Sequence, residues 1–233
     1  MDMITQELDQ WLNSLPARHP VAWEQLPDIG LYMDQVLTYV DRQLGLFRQT
    51  GQEHVLTPAM INNYIKDSLL PRAELKKYAP THLAILTTIG ALKQVLSMQD
   101  LQTLLSGLTG PEAARDFYDR FLNGQNRVVS ETVQSVAKQL SAVGMSDVNE
   151  ANESAEAKYE SGSAEADQSA AERQLRDLAL DLAIEARIRI LISEQILASL
   201  TRSREEARKK AASADASARA AKSKGKKEKP SEE

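Results

Sequence analysis

The chain has 233 residues, 26% of them charged, with a net charge of −5, no cysteine and only 5% aromatic residues. That length suits one sizeable core, or a domain of about 100–150 residues with extensions. The missing cysteines exclude disulfides, thiolate metal sites and thiol redox sensing.

Charge is unevenly spread. Residues 1–143 are net −3, residues 144–172 net −7 and residues 173–233 net +5. Within the first segment, residues 57–95 reverse the sign: Lys66, Arg72, Lys76, Lys77 and Lys93 stand against only Asp67 and Glu74. A local excess of cations inside an acidic chain says more about an anionic partner than the overall balance does. The acidic start MDMITQELDQ argues against a secretory leader, and no apolar run approaches the ~18–20 residues that cross a bilayer. A cytoplasmic protein with no membrane partner is expected.

Apolar spacing is helical nearly throughout. Ile4, Leu8, Trp11, Leu12 and Leu15 predict an amphipathic helix from Met3 to Leu15, ended by Pro16 and Pro20. Asp28 is placed to cap a second helix through Leu31, Val36, Tyr39, Val40, Leu44 and Phe47, stopped by Gly51. Thr57 and Pro58 read as the cap and first residue of a third, closed by Pro71. Pro80 starts a fourth, through Leu83, Ile85, Leu86, Ile89, Leu92 and Leu96. Ser97-Met-Gln-Asp100 is a capping box for a fifth. Gly110-Pro111 opens a longer helix carrying Phe117 and Phe121, with a weak point expected at Gly124. Beyond it Val129, Val133, Val136, Leu140 and Val143 repeat at 4-3-4-3 spacing, a two-heptad seam for either dimerisation or packing on the core.

Residues 144–171 are acidic, Ser/Ala-rich and poor in large apolar groups, and read as a flexible linker. Residues 172–212 read as a long helix and 213–233 as a basic, disordered tail. The run LALDLAIEARIRILI from Leu178 to Ile192 alternates like a strand, but its Ala, Glu, Arg and Leu content and its length favour helix. A helix this apolar must bury against the first domain or against another copy.

The third helix poses a question of its own. Asn is less favourable than Ala in a helix by roughly 0.5 kcal/mol, so folding alone does not ask for Asn62 and Asn63. Met60, Ile61, Tyr64, Ile65 and Leu69 form its apolar stripe; Ala59, Asn62, Asn63 and Lys66 share the opposite face. Asn pairs bidentately with adenine, Ala meets a thymine methyl and Lys suits phosphate. Arg72, Lys76 and Lys77 follow in a short loop or two-stranded wing of the kind that lies on sugar-phosphate backbone. Tyr64 and Tyr78 carry hydroxyls that either reach phosphate or cap the core.

With these residues in place, the block Ile61-Asn-Asn-Tyr-Ile-Lys-Asp-Ser-Leu-Leu-Pro71, Lys77-Tyr78, the Leu83–Leu96 helix and Ser97-Met-Gln-Asp-Leu101 resembles the winged-helix domain of the MerR regulators. Ser68 stands where that family usually has Gly. Together with Leu26-Pro-Asp-Ile-Gly-Leu-Tyr-Met-Asp-Gln-Val36, the block resembles an uncharacterised bacterial family, a domain of unknown function thought to be MerR-like. The resemblance covers about residues 24–110. It implies a winged helix with a small wing hairpin; apolar spacing adds a helix in 1–23 before it and a helical extension at 111–143 after it, for an all-α fold throughout. It also implies double-stranded DNA as partner, transcription regulation as function, and a homodimer formed through a helix after the winged domain.

Other chemistry finds little support. His19, His54 and His82 are too scattered for a metal set, and Trp11 and Trp23 read as packing anchors. There is no Gly-rich phosphate loop, no G-x-S-x-G and no H-E-x-x-H, so neither an enzyme nor a cofactor is expected. The rival expectation is a helical adaptor holding a protein partner through the long C-terminal helix.

Overall fold

The computed structural model describes residues 2–47, 54–108, 110–150 and 163–225, with side chains from 7–47, 54–108, 110–141 and 172–214. Among these residues there are seven α-helices and no extended strand, the all-α class expected. They are α1 (Asp2–Ser14), α2 (Met33–Gln43), α3 (Pro58–Lys66), α4 (Pro80–Leu92), α5 (Met98–Leu105), α6 (Pro111–Glu150) and α7 (Ser163–Gly225). None of the described helices is long and apolar enough to cross a membrane.

The central post is α4, buried all round from His82 to Ala91, as a helix apolar on every side must be. Around it stand Val36, Leu37 and Val40 of α2, Ile61 and Tyr64 of α3, Leu101 and Leu105 of α5, and Tyr118 and Leu122 of α6. The residue after α2, Leu44, comes so close that a Cβ on Gly90 would lie 2.2 Å from its Cδ1. Glycine at 90 therefore sets the spacing of α2 and α4. Tyr118, wholly buried, meets Trp23 edge-on at 6.4 Å and donates its hydroxyl to the Val21 carbonyl at 3.0 Å. Burial pushes the Tyr118 pKa up, so the phenol stays neutral.

A second, smaller cluster joins Leu12 of α1 to Val136 and Leu140 of α6, with Leu175, Leu178 and Leu182 of α7 packed on it. Farther along, α7 docks on α5. The Thr103 and Thr201 hydroxyls stand 2.8 Å apart, and Arg204 donates to the Thr103 carbonyl at 3.0 Å and to Ser106 Oγ. Arg204 thus joins Ser106 Oγ, which donates at 2.7 Å, in satisfying a carbonyl that the end of α5 leaves without a helical partner.

Several sequence expectations are corrected. The second helix begins at Met33 rather than being capped by Asp28, because Leu31 is held in an antiparallel bridge with Tyr78. Gln35 Oε1 instead accepts from the Tyr32 N–H at 2.9 Å. No break occurs at Gly124: α6 runs through it, a mid-helix glycine costing only about 1 kcal/mol against Ala. The segments 144–150 and 163–171, expected within a flexible linker, are helical, and α7 continues to Gly225 through residues expected to be disordered. Ala, Glu and Lys are good helix formers, and composition alone understated them. Residues 151–162 and 226–233 of the expected linker and tail lie outside the described residues.

Candidate nucleic-acid interface

The third helix is short and firmly set. Thr57 Oγ1 accepts from the Met60 N–H at 3.3 Å, and Pro58 occupies the first turn. Ahead of it, Asp41 on α2 accepts from the buried Val55 N–H at 2.8 Å and meets His54 Nδ1 at 2.5 Å. One carboxylate therefore fixes the approach to α3. The far end closes in a Schellman motif. The Leu69 N–H donates to the Tyr64 carbonyl at 2.8 Å and the Ser68 N–H to that of Ile65 at 3.2 Å. Ser68 sits at φ 60°, the left-handed conformation in which glycine is at ease.

With Ile61 and Tyr64 turned into the core, Ala59, Asn62, Asn63 and Lys66 are all exposed. Met60, expected in the buried stripe, is 36% exposed and has Lys93 Nζ 3.9 Å from its sulfur.

After Leu69 and Leu70 return to the core, a tight hairpin projects. Glu74 and Lys77 bridge, the Lys77 N–H donating to the Glu74 carbonyl at 2.8 Å, and Leu75 and Lys76 form the tip at φ 48° and 63°. Two consecutive positive φ values are the signature of a type I′ turn, for which Asn-Gly is the favoured pair. Here the places are taken by a leucine, 92% exposed, and a lysine. Sequence reasoning counted only the cations and missed Leu75; the signal is a large apolar residue between acidic and basic neighbours at a turn.

Arg72, Lys76 and Lys77 are exposed, and neither they nor Lys66 belong to an ion pair among the described residues. Lys77 instead lies 5.8 Å from the centre of the Tyr32 ring. The hairpin is seated by the Leu31–Tyr78 bridge, with N···O distances of 3.0 and 2.8 Å. A Cβ on Gly30 would come within 2.8 Å of Lys77 Cβ, so only glycine fits the adjoining position without displacement.

Tyr64 and Tyr78, expected among the phosphate-holding residues, are 3% and 5% exposed and belong to the core. Their pKa values are raised by burial. Tyr78 stacks edge-on with His82 at 5.5 Å. His82 is a buried cap: its Nδ1 accepts from the Ala79 N–H at 3.0 Å, while Nε2 is buried with no hydrogen-bond partner among the described residues. Burial lowers the His82 pKa, more strongly than the nearby backbone of Arg72, Ala79 and Pro71 raises it.

The seam expected to dimerise is already occupied within the chain. Val136 and Leu140 are each 5% exposed, and Val133 packs with them beneath α1 and α7. Val129 lines an apolar groove of about 450 Å³ beside Trp11 and Val128. The side chain of Val143 lies outside the described residues. Of the two roles the seam left open, packing is the one the structure uses for these three. Among the described residues there is no group of three or more His, Asp or Glu side chains positioned for a metal.

The arrangement is an all-helical domain in which a short helix and a tight hairpin stand next to each other in the chain, one exposing amides and the other cations. Residues 21–121 match a family described as a domain of unknown function (DUF1836). The match reaches past the expected boundary at 110 to take in Tyr118 and Phe121, which belong with the main core. No curated protein and no solved structure is significantly similar to the chain.

Proposed function

We propose that this protein binds double-stranded DNA and regulates transcription, α3 entering the major groove and the hairpin lying as a wing along the backbone. The observation that carries the reading is the uncovered face of α3, with Asn62, Asn63 and Lys66 exposed just ahead of a hairpin whose cations belong to no ion pair among the described residues. Asn62 and Asn63 would read adenine edges, Ala59 a thymine methyl, and Lys66, Arg72, Lys76 and Lys77 would hold phosphates. Leu75 at the tip suits the narrow minor groove alongside, where apolar side chains wedge between base steps. Two such heads on one two-fold axis would recognise a pseudo-palindromic site.

Fluorescence anisotropy with the full chain and a duplex selected from random sequence tests this. Asn62→Ala with Asn63→Ala should cost about 1–3 kcal/mol for each lost base contact on the selected site and spare nonspecific binding. Lys76→Ala with Lys77→Ala should weaken all duplexes and reduce the salt slope by about 2. Absence of binding at low salt rejects the proposal. It would favour the second reading, a helical adaptor, for which the exposed apolar side chains of α7 speak.

A further inference from the structure

Among the described residues, seven of the fifteen exposed large apolar side chains lie on α7. Leu180, Ile184, Ile188, Leu191, Ile192 and Ile196 are each between 42% and 57% exposed. At 100° per residue the first four fall within an arc of about 80°, and Ile192 and Ile196 extend the row around the helix. Away from that first arc the helix is already in use, by Leu178 and Leu182 on the second cluster and by Leu197, Thr201 and Arg204 toward α5. The uncovered row amounts to on the order of 600 Å², the upper end of what a monomer leaves bare and close to the ~800 Å² each partner contributes to a stable interface. Tyr159 is the one large apolar side chain in residues 48–53, 151–162 and 226–233.

Charge order along α7 identifies the occupant. Residues 172–185 carry four acids and two bases, net −2, whereas residues 187–210 carry seven bases and three acids, net +4. A parallel pair of such helices sets like against like; an antiparallel pair sets each half against its opposite. Arg187 and Glu194 border the apolar arc, and neither has an ion-pair partner among the described residues. We propose that a second copy of this chain covers the row, the two α7 helices antiparallel about an axis between Ile190 and Leu191. Arg187 of each copy then meets Glu194 of the other. This surface is self-complementary, as a two-fold contact requires. The inference is independent of DNA binding.

The test is the mass of the full chain by analytical ultracentrifugation across a dilution series, with twice the chain mass expected. Ile188→Glu with Ile192→Glu should raise the dissociation constant by at least ~100-fold while leaving the helical circular dichroism unchanged, because both residues are about half exposed. Arg187→Glu should weaken pairing about tenfold, and adding Glu194→Arg should restore it. The chain has no cysteine, so one introduced thiol reports cleanly. On oxidation Leu191→Cys should cross-link to itself and Leu180→Cys should not. A monomer at every concentration, association only with a different protein, or self-cross-linking of Leu180→Cys overturns the proposal.

Discussion

Leu75→Asn separates two properties of the hairpin tip. Leu75 holds a left-handed φ of 48° with a side chain 92% exposed, so it carries the steric cost of that conformation and gains almost nothing from burial. The cost for an ordinary L-residue is roughly 1–2 kcal/mol, and Asn relieves part of it. The variant should therefore be more stable by about 0.5–1 kcal/mol, a rise in Tm of about 1–4 °C for a protein of this size. Lys76 and Lys77 are untouched, so the phosphate contacts of the proposed wing survive. Affinity for a selected duplex should nonetheless fall, by about tenfold, because the apolar wedge is gone. Urea denaturation and anisotropy on the same preparation read both quantities. A variant no more stable than the parent refutes the strain argument, and unchanged affinity refutes a role for Leu75 at the groove.

Three further substitutions probe the seats of α3 and α4. Ser68→Gly, at φ 60° in the Schellman motif, should add roughly 0.5–1 kcal/mol in chemical denaturation; a loss would mean that the serine side chain contributes something the backbone does not reveal. Asp41→Ala should cost about 1–3 kcal/mol, because the buried Val55 N–H loses its acceptor, and a neutral result would place the α2–α3 connection elsewhere. His82 is held neutral by burial, with a pKa below its ordinary value, so the unfolded chain binds its proton first as pH falls. Its contribution is fully present above about pH 6.5 and is lost as the pH drops below that toward the lowered folded value. His82→Asn should flatten this part of the stability profile, and an unchanged slope would show that another group titrates there.

What was legible in the sequence is what neighbouring residues decide. Thr57-Pro58, Pro80 and Ser97 each announced a helix start correctly because a cap or a proline acts within one turn. The inward and outward faces of α3 followed from 3.6-residue periodicity, Met60 excepted. Asp28 misled because the competing interaction, the Leu31–Tyr78 bridge, spans 47 positions and leaves no local trace. Tyr64 and Tyr78 carried two readings, and only their neighbours across the fold could choose the core. The valine seam was recognised as apolar, but periodicity does not say whether α1 and α7 or a second molecule will cover it. At Leu75 the charges around it drew attention away from the most exposed large apolar side chain among the described residues.

The sixth helix has two seats. Tyr118 and Leu122 are set in the main core, and Val136 and Leu140 are set in the smaller cluster with Leu12. From Leu122 to Val136 is about 21 Å of unbroken rod. A rod held at both ends cannot tilt at one without being levered at the other. An apolar molecule lodging beside Trp11 and Val128 would press on this rod between its two seats, and the load would reach Tyr118 only through the helix.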